Sequence, residues 1–113
     1  MSKKFTYTDS GDIKTIPLNE ILEFRSAGNY TYVVFCDERK DLLVSIQIGK
    51  INEHLTEEHN FVRIHNCHYV NFDYARKVTR GRRPLLVMDY ALPITVGKTY
   101  VSKIRKRFRR GKT

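Results

Sequence analysis

With 113 residues, 41% of them hydrophobic and thirteen aromatic, the chain can bury the core of one compact domain and is too short for two. Residues 1–75 hold 8 Lys/Arg and 11 Asp/Glu, whereas residues 76–113 hold 13 Lys/Arg and one acid, Asp89, so the last third carries all of the +9 excess. The sequence opens without the apolar core of a signal peptide, and no apolar run approaches the ~20 residues of a membrane span, so the expectation is a cytoplasmic domain without a membrane partner.

Residues 1–12 read as a loose N-terminal segment with a turn at 9–12, and residues 13–113 as a single domain. Residues 21–25 read as the first main strand and 26–29 as a turn. Residues 30–36 are rich in β-branched and aromatic side chains and predict a strong strand. A hairpin at 37–40 leads to a strand over 41–46. The period then changes: Ile48, Ile51, His54 and Leu55 fall at helical spacing, which predicts a short amphipathic helix over about 47–58.

The stretch FVRIHNCHYVNF, residues 61–72, carries two apolar runs around a polar cluster of His65, Asn66, Cys67 and His68. Val62, Ile64, Val70 and Phe72 read as one face of extended chain. So many hydrogen-bonding side chains in a row have no use in a core, so the middle reads as a site or a satisfied polar corner. Residues 75–79 are extended. A turn at 81–84 precedes a strand over 85–88, with Pro84 at the strand start because it cannot donate to a ladder. A tight turn at 89–91 leads to a strand over 92–96. Tyr100, Val101, Ile104 and Phe108 mark one face of a basic C-terminal helix. The resulting fold class is mainly β: an elongated antiparallel sheet or sandwich of short strands, one short internal helix and a basic C-terminal helix. No regular alternation of strands and helices supports a parallel doubly wound sheet.

Enzyme chemistry has little support. The chain has no Gly-rich phosphate loop, nucleophile elbow or paired catalytic motif. Cys67 lies between His65 and His68, but neighbouring residues of a strand point to opposite faces, so proximity in sequence does not make an activated thiol. His65, Cys67 and His68 suit zinc, with Cys36, His54 or His59 to complete four, yet the second close pair of a structural zinc site is missing. No cofactor is expected. Cys36 and Cys67 read as reduced thiols, with Cys36 packed at a strand end. His54 and His59, beside Glu57 and Glu58, read as surface residues.

Nucleic-acid binding has the most support. The basic block supplies phosphate contacts, for which Arg76, Lys77, Arg80, Lys103, Arg107 and Arg109 are the candidates. His65 and Asn66 are suited to base edges. Asn29 and Tyr30 sit in a second polar turn, and Lys98 and Thr99 at the entrance to the last helix. Each also has an ordinary explanation: Asn29 beside Gly28 forms turns, and Thr99 can cap a helix. An acidic protein partner docked on the basic helix, or single-stranded RNA stacked on Tyr30, Tyr32 or Tyr90, are the alternatives.

The order SAGNYTYV (26–33), FVRIHNCHYVN (61–71) and LPITVGKTY (92–100) resembles the LytTR-type DNA-binding domain of bacterial transcriptional regulators, over roughly residues 14–108. The middle motif is the most specific, with Phe61, Arg63, His65, Val70 and Asn71 in the family's pattern. The last is looser, because a Ser-Arg-Arg-Tyr-like stretch appears as Gly97, Lys98, Thr99 and Tyr100. The resemblance implies an elongated β fold that reads major grooves of double-stranded DNA through inter-strand loops and bends the duplex. The reading loops would hold Asn29 and Tyr30, His65 and Asn66, and Lys98 and Thr99. It also raises a homodimer on repeated half-sites and a separate signalling protein as partners. Such domains usually follow a receiver domain or a membrane-sensing segment. If Met1 is the native start, the chain is expected to be a stand-alone regulator.

Overall fold

The computed structural model describes residues 3–110. Ten short strands and one regular α-helix are present among them, so the class is mainly β and antiparallel as expected. The long axis measures 46 Å against 32 and 26 Å for the others.

The central layer is a five-stranded antiparallel sheet in the order β5-β4-β3-β7-β6, formed by β3 (Ile21–Ala27), β4 (Tyr30–Phe35), β5 (Leu42–Val44), β6 (Phe61–His65) and β7 (His68–Asn71). One face is covered by the hairpin of β1 (Lys4–Asp9) and β2 (Asp12–Pro17) and by a 3-10 segment, Ile48–His54. The other carries a three-stranded sheet of β8 (Ala75–Val78), β9 (Leu85–Met88) and β10 (Ile94–Thr95), together with helix α1 (Val101–Arg109). Each face buries its own core. Phe5, Ile21, Phe24, Val33, Ile51 and Phe61 form one. Leu22, Val62, Ile64, Val70, Phe72, Leu86 and Ile104 form the other, so the predicted face of Val62, Ile64, Val70 and Phe72 is buried together as read.

Three expectations change. Residues 4–9 are a strand, not part of a loose start: Phe5 is fully buried against Phe24, 5.0 Å between ring centroids. The turn at 9–12 is present, with Ser10 and Gly11 at positive φ, 50° and 85°, as a two-residue hairpin requires. The internal helix is 3-10 and shorter than expected, because Ile48 and Ile51 stack at the three-residue repeat that this winding favours. The strand over 92–96 shrinks to Ile94–Thr95, since Pro93 has no N–H for the ladder.

A β-bulge interrupts β3, where the register shifts between Ile21 and Glu23. Leu22 then enters the second core, and Glu23 lines a groove on that same face.

Candidate nucleic-acid interface

The loops that carry the predicted reading residues leave the molecule at one end. Strands β3 and β7 are antiparallel, with Arg25 opposite His68, and the Ser26 amide donates to the Cys67 carbonyl at 2.9 Å. The β3–β4 turn with Asn29 and the β6–β7 turn with Asn66 therefore emerge side by side. The third loop is tied to the second. The Gly97 amide donates to the Ile64 carbonyl at 2.8 Å, and the Tyr100 hydroxyl donates to Asn66 Oδ1 at 3.4 Å. Asn29, Tyr30, Asn66, Lys98 and Thr99 are exposed there and His65 is half-buried.

Local chemistry holds these loops in shape. Gly28 has φ 64°, the first place of a two-residue turn where a Cβ would be strained. Gln47 Nε2 donates to Asn29 Oδ1 at 3.1 Å, which orients that amide. Arg63 spans the base of the middle turn: Nε donates to the His65 carbonyl at 3.1 Å and Nη2 to the Asn66 carbonyl at 2.6 Å. The Cys67 amide donates to His65 Nδ1 at 3.2 Å. Below the turn, His68 Nδ1 meets the buried Glu23 carboxylate at 2.8 Å, in the groove opened by the bulge. Gly97 sits where a Cβ would press to 3.1 Å from the Tyr100 ring, so a glycine suits this close approach. Thr99 does not cap α1, whose N-terminus has no side-chain cap bond.

The cations expected to hold phosphates do not gather as a set. Arg80 lies in the β8–β9 loop, at the same end as His65 and Lys98. Lys77 is exposed within β8 and Lys103 near the start of α1. Arg76 is ion-paired to Asp89, Nε to Oδ1 at 2.6 Å, which holds its guanidinium pKa up. Arg107 is at the opposite end, because α1 runs back along the sheet. There it donates to Asn60 Oδ1, and its guanidinium lies 5.4 Å from the Phe72 ring centroid. Arg109 lies in the last turn of that helix, away from the loops. Arg82, Arg83 and Arg105, not singled out in the sequence, line one groove with His65 and Lys98. The signal was present in residues 80–84, RGRRP, which reads first as a turn because Gly and Pro dominate it.

The remaining polar residues have structural partners. Asn71 is buried, donates to the Leu18 and Ile21 carbonyls and accepts from the Asp73 amide, so it joins the start of β3 to the end of β7. Cys36 is packed at the end of β4 as expected. The Tyr74 hydroxyl reaches its sulfur at 3.6 Å, and burial pushes the Tyr74 phenol up to about 12. His54 and His59 are not free surface residues: His54 Nδ1 contacts the Thr6 carbonyl at 3.1 Å, and His59 Nε2 contacts Asn52 Oδ1 at 2.7 Å. Among the described residues, no three His, Cys, Asp or Glu side chains are grouped to hold a metal ion. No described helix is long and apolar enough to cross a membrane.

Comparison with known proteins agrees with this geometry. No curated protein sequence matches the chain. Among solved structures, a LytTr DNA-binding domain of a putative methyl-accepting/DNA response regulator from Bacillus cereus superposes with a TM-score of 0.72 at 19% identity, covering 96% of this chain and 98% of that one. The family model described as LytTr DNA-binding domain matches residues 11–109. That match spans nearly the whole chain, and the protein belongs to the LytTr DNA-binding domain family.

Proposed function

We propose that the chain binds double-stranded DNA sequence-specifically as the reading domain of a bacterial transcriptional regulator in the cytoplasm, through the loops at one end of the central sheet. Asn29 and Asn66 supply paired donors and acceptors for base edges in successive major grooves. Lys98, Arg80, Arg82, Arg83 and Arg105 neutralise phosphates beside them. The observation that carries the reading is the convergence of three polar loops and this cation cluster at a single end. Repeated half-sites bound by two copies, and a separate signalling protein as input, extend the same proposal.

Selection of bound sequences from a random duplex pool tests it, because it reports DNA binding, base preference and half-site spacing together. A preferred sequence is expected. With about 6 phosphate contacts, log K falls against log salt with a slope of about −5. Replacing Asn66 by Ala should cost about 1–3 kcal/mol on the selected site and little on random DNA. A pool that stays unenriched, or a salt-independent affinity, overturns the proposal. Preferential capture of single-stranded RNA in competition would favour the tyrosine-stacking alternative.

A further inference from the structure

We propose that His65 donates its Nε2–H to the acceptor edge of a guanine, and that the main chain of Cys67 imposes this choice. The inference rests on the DNA reading proposed above and assigns one residue a base. The Cys67 amide lies 3.2 Å from His65 Nδ1. A backbone N–H can only donate, so Nδ1 presents its lone pair and the neutral ring carries its proton on Nε2.

The same local arrangement occurs at His59. There the Phe61 amide donates to Nδ1 at 3.1 Å, and the Nε2–H is answered by Asn52 Oδ1 at 2.7 Å. At His65 no described residue answers Nε2. His68, 5.8 Å away between ring centroids, has its own Nδ1 on Glu23. No buried side-chain nitrogen or oxygen lacks a partner among the described residues, so Nε2 of His65 is open to solvent. One histidine turn thus closes on an internal acceptor and its counterpart offers a fixed donor to the outside, beside Asn66.

A fixed donor is repelled by the cytosine N4 and adenine N6 amines; single acceptors also stand at adenine N7 and thymine O4, but guanine alone sets two, O6 and N7, side by side. Lys98, Arg82, Arg83 and Arg105 in the same groove supply charge for phosphates, so a neutral donor adds most at a base edge.

Two measurements test this. Long-range 15N–1H correlation of the imidazoles in the free protein at neutral pH should show His65 protonated on Nε2 and bare on Nδ1. Random-pool selection with wild type, His65→Ala and His65→Gln should then separate the roles. The Ala variant should lose a guanine requirement at one base pair, keep the other preferences, and bind the wild-type site about 10-fold more weakly. The Gln variant, which donates and accepts together, should recover affinity and shift that position toward adenine.

A proton on Nδ1, unchanged preferences in the Ala variant, or an equal loss on every duplex would overturn the assignment, the last marking a phosphate contact. If wild type itself selects no sequence, the DNA reading falls and takes this inference with it. If wild type is selective and His65→Ala matches it, only the assignment of His65 falls.

Discussion

Strand β6 begins beside His59 and ends at His65, and the two surroundings could hardly differ more. At the His59 end, polar groups are answered inside the molecule: Asn52 accepts from His59 and from the Tyr69 hydroxyl, Asn60 donates to Asp73, and Arg107 donates to Asn60. At the His65 end, several internal bonds hold main chain, beside the side-chain bonds of Gln47 to Asn29 and Tyr100 to Asn66. Arg63 grips two carbonyls and His65 accepts an amide, while exposed side chains face outward. Many of the acids gather at the closed end. Glu20, Asp37, Glu38, Glu57, Glu58, Asp73 and Asp89 lie toward the His59 end, by the course of the strands that they flank. The lesson is that one sheet can close its polar groups more fully at one end of its strands than at the other.

The largest expected effect attacks the closed end. Phe72 is fully buried, 4.8 Å from the Phe108 ring and under the Arg107 guanidinium. Phe72→Ala should lower unfolding free energy by about 3–5 kcal/mol in denaturant titration. The folded fraction should still prefer the same duplex. A changed base preference would mean that the ends are coupled.

Next comes the frame of the open end. Arg63→Lys removes a two-point grip that an ammonium cannot reproduce. Affinity for the selected duplex should fall by about 1.5–3 kcal/mol, with a smaller loss on random DNA. Equal losses would make Arg63 a phosphate contact.

A third comparison sets cations of the two ends against each other. Arg82→Gln with Arg83→Gln should reduce the salt slope by about 2, one for each phosphate, and weaken binding to every sequence alike. Arg107→Gln should leave the slope unchanged and reduce thermal stability. A slope that falls with Arg107→Gln would return that residue to the phosphate contacts first expected of it.

The smallest effect is the pH dependence of the closed end. Burial, then the positive charges of Arg107 and Lys3, hold the His59 pKa below its ordinary 6.5. The unfolded chain therefore binds a proton before the folded one does. The contribution is complete above about pH 6.5 and is lost as pH falls below it toward the lower folded value. His59→Gln should flatten this part of the melting-temperature profile. A profile identical to wild type would show that His59 takes no part in it.

The sequence reveals this architecture unevenly. Runs such as residues 30–36 and 85–88 declare themselves as strands, because β-branched and aromatic side chains accumulate between turn formers. The first strand is obscured because its alternation is short: only Phe5 and Tyr7 face the core, between polar residues and directly before the turn at 9–12. The two exposed polar turns are legible because Gly28 and the polar cluster at 65–68 are local signals. The cation assignments are not, because a charge count says nothing of direction. Helix α1 folds back from Val101 near the loops to Arg107 beside Asn60, 47 positions earlier in the chain. Arg82 and Arg83 belong with the loops only because β8 and β9 rise to the same end.

Cys67 gives the arrangement a practical handle. Its thiol is exposed in the turn between the candidate base readers, whereas Cys36 is half-buried with the Asn19 carbonyl and the Tyr74 hydroxyl around its sulfur. A thiol-selective dye should therefore attach first, and with little competition, at the tip of the middle loop. Its emission would change as a duplex covers the turn, and a bulky adduct would obstruct that approach. The native chain carries a position at which occupancy can be watched or blocked by covalent chemistry without altering a single codon.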